Sequence, residues 1–198
     1  LQNLPRFAFF EKLQQAMAAG GIDLETALAT NSFYKILDYL LTSKGLDYAS
    51  LPKGFIPFHR YPEGPRTAFE EHLVEWQCCV RGRPGRSGIH FTVLPAFIRA
   101  AETHLRESRQ RLAAGLASLD IVISPQDSST DTLCVDMENL PARDSLGRLQ
   151  FRPAGHGALL PNLNSLDAGL IFVRTIDNIL PEPMHDRVCG QKRVLGGY

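Results

Sequence analysis

Apolar residues recur at four-residue spacing from the start of the chain. Phe9, Leu13 and Met17 mark one face of a helix predicted over 5–19, which Gly20 and Gly21 stop. A second helical run is predicted over 32–43, so residues 1–50 read as a helical opening with polar outer faces. The pattern changes at Leu51-Pro52-Lys53-Gly54, where Phe55 to Phe58 reads as a short extended segment and Tyr61 to Pro65 as a turn. Thr67 with Glu70 has the spacing of a capping box, in which each side chain satisfies an amide of the new helix. That helix carries Phe69, Leu73, Trp76 and Val80 along one stripe and is predicted to lie on a sheet.

A glycine-rich loop is expected over 81–88, then a buried strand over 89–94 and a long amphipathic helix to about Leu116, with Phe97, Ala101, Leu105 and Leu112 inward. Strands follow at 119–124 and 132–135, a turn at Asp144-Ser145-Leu146-Gly147 precedes 149–151, and a helix is expected after Gly157. Gly169 to Val173 reads as another apolar strand, and a last helix begins near Met184. Helices alternating with apolar strands predict an α/β core over 51–198, a mainly parallel or mixed sheet covered by helices on both faces.

The charges balance, with 21 Lys and Arg against 21 Asp and Glu in 198 residues, so no global field draws the chain to nucleic acid or an anionic membrane. Cys78, Cys79, Cys134 and Cys189 match neither a zinc site nor a Cys-x-x-Cys pair, and a reducing cytoplasm fits them best. No apolar run approaches the length of a membrane span. The ends, Leu1 and Tyr198, read as those of a piece of a longer polypeptide.

In parallel sheets ligands bind beyond the carboxyl ends of the strands, where Asp177-Asn178 is expected. A carboxylate there suits Mg2+, which takes few protein oxygens and shares the substrate's phosphates; the alternative is a simple Asx turn. Gly155-His156-Gly157 opens a predicted helix, whose free amides face outward and whose glycines let a flat or anionic group reach the backbone. The same glycines could serve only the turn, and His156 could be an ordinary half-exposed histidine. Lys53, between Pro52 and Gly54, is placed to act as a point charge on phosphate, although most lysines are simply solvated. No Gly-x-Ser-x-Gly elbow supports a serine hydrolase.

Leu51-Pro52-Lys53-Gly54, the capped helix from Thr67 to Leu73, Asp144 to Gly147 before Arg152 to Gly157, and Thr175-Ile176-Asp177-Asn178 occur in the order seen in UDP-sugar pyrophosphorylases. The chain resembles these enzymes over about Leu51 to Pro181, and most of all an uncharacterised bacterial family of unknown function related to them. The resemblance implies a Rossmann-like fold of the nucleotide-diphospho-sugar transferase kind. It also implies a nucleoside site bordered by Gly155, His156 and Gly157, a magnesium ion on Asp177, and Lys53 as the phosphate-side catalytic lysine. Gln126 and Asp131, just beyond another strand end, are expected to line the cleft.

The family reaction is attack of a sugar 1-phosphate oxygen on the α-phosphate of UTP, with pyrophosphate leaving. One departure stands out: the glycine-rich loop with an arginine that these enzymes carry before the Pro-Lys has no counterpart before Pro52. Either that loop lies upstream of Leu1, with the helices as an insertion, or the protein binds nucleotides or nucleotide sugars without turning them over. A structural or interaction domain without a small ligand is the third alternative.

Overall fold

The computed structural model describes residues 3–80, 87–112, 119–153 and 156–197, with His156 described by its backbone alone. The chain divides into two compact units, residues 1–85, 108–118 and 172–198 in the first and 86–107 and 119–171 in the second.

The first unit opens with α1 (Phe10–Ala19), α2 (Leu24–Ala29) and α3 (Phe33–Leu41). Leu13, Met17, Leu24, Ala27 and Ile36 form a shared core, the face the four-residue spacing marks. Gly20-Gly21 stops α1 through a Schellman motif: Ile22 N–H donates to Met17 O (2.9 Å) and Gly21 N–H to Ala18 O (2.9 Å), with Gly21 at φ 74°. Asp23 then caps α2 by accepting from the Thr26 amide at 2.7 Å. The short α2 carries too few turns for its periodicity to stand out in the sequence.

After a 3-10 turn at Lys53–Phe55 come the antiparallel strands β1 (Pro57–Tyr61) and β2 (Gly64–Thr67), which lead directly into α4 (Ala68–Val80). The capping box forms, Thr67 N–H donating to Glu70 Oε2 at 2.8 Å. Phe69 and Leu73 are buried as the stripe requires, but they do not rest on a broad sheet: α4 packs against the β1–β2 hairpin and against the last helix, α7 (His185–Gly197). A disulfide joins Cys79 of α4 to Cys189 of α7. Their separation of 110 residues hides the pair from any spacing rule, and the bond removes the cysteine argument for a reducing compartment.

In the second unit β3 (Gly88–Val93) and β4 (Asp120–Pro125) run parallel, Gly88 opposite Asp120 through Val93 opposite Pro125. Their crossover is α5 (Ile98–Arg111), whose residues 108–111 count with the first unit. This is the strand–helix–strand unit the pattern predicts. The helix ends at Arg111, and the rest of its predicted extent, like most of the 81–88 loop, lies outside the described residues. Two-residue strands β5 (Thr132–Leu133) and β6 (Phe151–Arg152) pair antiparallel. Between them Asp144 builds the predicted turn, its carboxylate accepting from the amides of Leu146 (2.9 Å) and Arg148 (3.0 Å), with Gly147 at φ 76°. A 3-10 turn at His156–Leu159 precedes the five-residue α6 (Leu160–Asn164).

Among the described residues the architecture is therefore mixed α/β with three two-stranded sheets, in place of the larger covered sheet expected. Gly169 to Val173 forms no strand, and Leu170, Ile171, Phe172 and Val173 are exposed. Apolar composition makes a segment fit for a sheet, but only a neighbour's ladder makes it a strand, and among the described residues none pairs with it. No described helix is long and apolar enough to cross a membrane.

Candidate functional site

Lys53 owes its position to the residue after it. Gly54 is buried because a ring lies where its side chain would be: a Cβ built there would stand 2.4 Å from Phe69 Cε2. The 3-10 turn can therefore sit directly on α4, leaving the Lys53 side chain 61% exposed. Its Nζ donates to Asp177 Oδ2 at 2.6 Å, and the Asp177 side chain is 43% exposed. The two residues are 124 positions apart and belong to the same unit. An exposed pair of this kind contributes little to stability. Its interest is that a cation and a carboxylate are presented together to solvent.

Asp177 lies in a turn closed by Asn178 N–H donating to Thr175 O at 3.1 Å. The Lys53 ammonium, and after it the Thr175 side chain, hold its carboxyl below the ordinary carboxylate value, so it stays anionic near neutral pH. Helix α4 reaches the turn through two buried side chains. His72 Nε2–H donates to Ile176 O at 3.1 Å, and burial keeps this imidazole's pKa below the usual 6.5, hence neutral at pH 7. Glu75 accepts from Arg174 Nη1 at 3.2 Å and from Lys192 Nζ, while Arg174 Nη2 donates to Asn178 O. Neither His72 nor Glu75 belongs to the site as the sequence presents it. Polar side chains on a helix are ordinarily read as solvated, and only contacts about a hundred positions away reveal the task of these two.

Asp177 could hold magnesium once Lys53 leaves its carboxylate. One exposed carboxylate matches an ion that keeps its waters and shares phosphate oxygens. A site built from protein ligands alone would not match, because no group of three His, Cys, Asp or Glu among the described residues could hold a metal.

In the second unit, Gln126 follows β4, and its amide donates to Val93 O at 2.9 Å, which sets it beyond the carboxyl ends of both parallel strands. An open cleft of about 450 Å³ begins there, lined by Gln126, Asp127, Ser128, Pro161, Asn162 and neighbouring residues. Asn162 Nδ2 ties α6 to the end of β4, donating to Ser124 Oγ (2.6 Å) and Pro125 O (2.8 Å). Asp127 caps the next turn by accepting from Ser129 N–H at 2.8 Å, and that backbone hydrogen bond lowers its pKa. Asp131 ends the turn, and the hydroxyl of Thr130 just before it donates to Ala158 O at 3.0 Å, bringing the turn to the His156–Leu159 segment. A Cβ at Gly157 would meet nothing within 4 Å, so packing does not demand glycine there.

Gly155 lies outside the described residues. The helix expected to present amides at this segment is only a 3-10 turn and a five-residue helix, so little dipole is available to hold an anion. Lys53 and Asp177 thus come together in the first unit, while Gln126, Asp131 and Gly157 belong to the second. Asp127 and Asn162 also line the cleft, beyond the residues the sequence points to. The run Gln126-Asp127-Ser128 just past a strand end was the available signal for Asp127, and Asn162 had none.

These features define a mixed α/β protein with a presented Lys–Asp pair and, in its second unit, an open cleft at the end of a parallel strand pair. The chain matches, over residues 1–198, the family described as Domain of unknown function (DUF4301), and it belongs to that family. No curated protein and no solved structure compared with it matches.

Proposed function

We propose that this chain handles the nucleotide in a sugar-1-phosphate nucleotidyltransferase of the UDP-sugar pyrophosphorylase kind, acting on UTP and a sugar 1-phosphate. The observation that carries the reading is the 2.6 Å approach of Lys53 Nζ to Asp177 Oδ2. In the reaction an oxygen of the sugar phosphate forms a bond to the α-phosphorus of UTP while the bond to the β-phosphate oxygen breaks. The attacking oxygen is already anionic, so no protein nucleophile and no general base is needed. What remains is alignment and neutralisation of charge. Lys53 supplies a positive charge to phosphate oxygens, released from Asp177 as the nucleotide enters. Asp177 would hold Mg2+, whose chemistry when bound is to offset the charge of the triphosphate. The second unit separately presents an open cleft lined by Gln126, Asp127 and Asn162.

Binding without turnover is the second reading, and one observation favours it. The residues before Pro52 fold as α1 to α3, with no strand and no glycine-rich loop among those described. Thermal melting with UTP, UDP-sugars and Mg2+, paired with pyrophosphate release in the presence of sugar 1-phosphates, tests both. Ligand at a hundred times its dissociation constant adds about 2.7 kcal/mol. The nucleotide-dependent shift should shrink in Lys53→Ala and Asp177→Ala. A shift without pyrophosphate release supports the binder. No shift with any uridine nucleotide, or the same shift in both variants, refutes the assignment.

A further inference from the structure

We infer that His72 and the Glu75–Arg174 pair are positioning residues, which hold the turn at 175–178 so that the Asp177 carboxylate stays opposite Lys53. This deepens the proposed function and rests on its reading of Asp177.

The carbonyl groups on either side of Asp177 are both taken up. Ile176 O accepts from His72, and Asn178 O accepts from Arg174, which is itself held by Glu75 on α4. His72 is 7% exposed and Glu75 2%. Lys192 of α7, the helix bound to α4 by the Cys79–Cys189 disulfide, donates to the same Glu75 oxygen, Oε1, as Arg174 does, so α7 also helps to hold the anchor. Burying a histidine and a glutamate is costly, and apolar residues of similar volume would pack α4 with less penalty. The turn carbonyls do not need them for solvation, because an exposed turn is satisfied by water. What the buried polar groups add is direction: two hydrogen bonds flanking one residue leave its side chain a narrow range of aim.

The test uses the chain itself with Mn2+ and UTP together as probe, reading by NMR the paramagnetic broadening at Asp177 and the exchange rate of the Asn178 amide. His72→Leu removes the donor, His72→Gln keeps one, and Arg174→Gln breaks the other flank. In His72→Leu and Arg174→Gln the Mn2+ midpoint should rise by about tenfold, the loss typical when a group supporting a metal ligand is removed, and Asn178 should exchange faster. His72→Gln should restore both readings.

Arg174→Gln decides the matter if His72→Leu does not fold. Unchanged midpoint and exchange in a folded loss variant overturn the inference, as does failure of His72→Gln to restore them. Absence of Mn2+ broadening in the unsubstituted chain would instead remove the metal reading of Asp177. Positioning would then be judged on Asn178 exchange, which needs no metal.

Discussion

Replacing Gly54 by alanine tests whether the Lys53 turn is seated on α4 as described. The added Cβ would lie 2.4 Å from Phe69 Cε2 and 2.5 Å from Cζ, where ordinary contact begins at 3.4 Å. The ring must therefore retreat by about 1 Å, or the turn must rise by as much. Phe69 is 2% exposed and meets Phe55 edge-on, with centroids 5.2 Å apart, so it has little room to yield. Overpacking of this sort costs about 1–3 kcal/mol. Alanine's smaller unfolded-state entropy offsets about 0.4–1 kcal/mol of it. A net loss of about 1–2 kcal/mol lowers the melting temperature by roughly 2–8 °C in a protein of this size.

Gly190, in α7 of the same unit, is the control, because a Cβ there meets nothing within 4 Å. Alanine at 190 should raise the melting temperature, by the roughly 0.8–1 kcal/mol that separates alanine from glycine in a helix. Circular dichroism melts of the two variants beside the parent measure this. On the proposed function, Gly54→Ala should also bind uridine nucleotide more weakly, since a raised turn carries Lys53 away from Asp177. If Gly54→Ala melts at or above the parent, the turn does not rest on Phe69 and the account of how Lys53 is placed is wrong.

The Cys79–Cys189 disulfide closes a loop of about 110 residues, worth about 4–5 kcal/mol by chain entropy, so a reductant should lower the melting transition markedly. The denatured, unreduced chain should show two reactive thiols, from Cys78 and Cys134; four would show that the bond is absent. Burial holds the pKa of His72 below its ordinary 6.5, so between those values the unfolded chain binds a proton that the folded chain does not. Urea midpoints should thus fall as pH drops below about 6.5 and level off below the folded value, and His72→Gln should flatten that slope; an equal slope in the variant would contradict it. The lowered carboxyl of Asp177 acts in a separate window, its contribution present above 3.8 and lost as pH falls through the folded value.

What was legible in the sequence was local. The Gly20-Gly21 stop, the Thr67–Glu70 capping box, the Asp144 turn and the β3–α5–β4 crossover each depend on residues a few positions apart, or on periodicity within one element. The stretch from Gly169 to Val173 shows the limit. Its composition is that of a buried strand, yet a strand needs a partner, and partnership is a property of two segments. The disulfide was hidden for the same reason.

Helix α4 carries the argument furthest. Read along the chain, Phe69 and Leu73 mark an inner face, and Glu70, Glu71, His72 and Glu75 fall where solvent is expected. In the structure all four are buried, because each has a partner elsewhere in the first unit. Glu70 accepts from Ser108 and Arg111, Glu71 lies 3.0 Å from His59, His72 donates to Ile176 O, and Glu75 pairs with Arg174 and Lys192. A helix polar on this face can be buried only where such partners converge, since each unpaired charge would cost several kcal/mol. The burial of α4 and the placement of the Asp177 turn are thus one requirement, and a sequence pattern that treats polarity as exposure misreads both together.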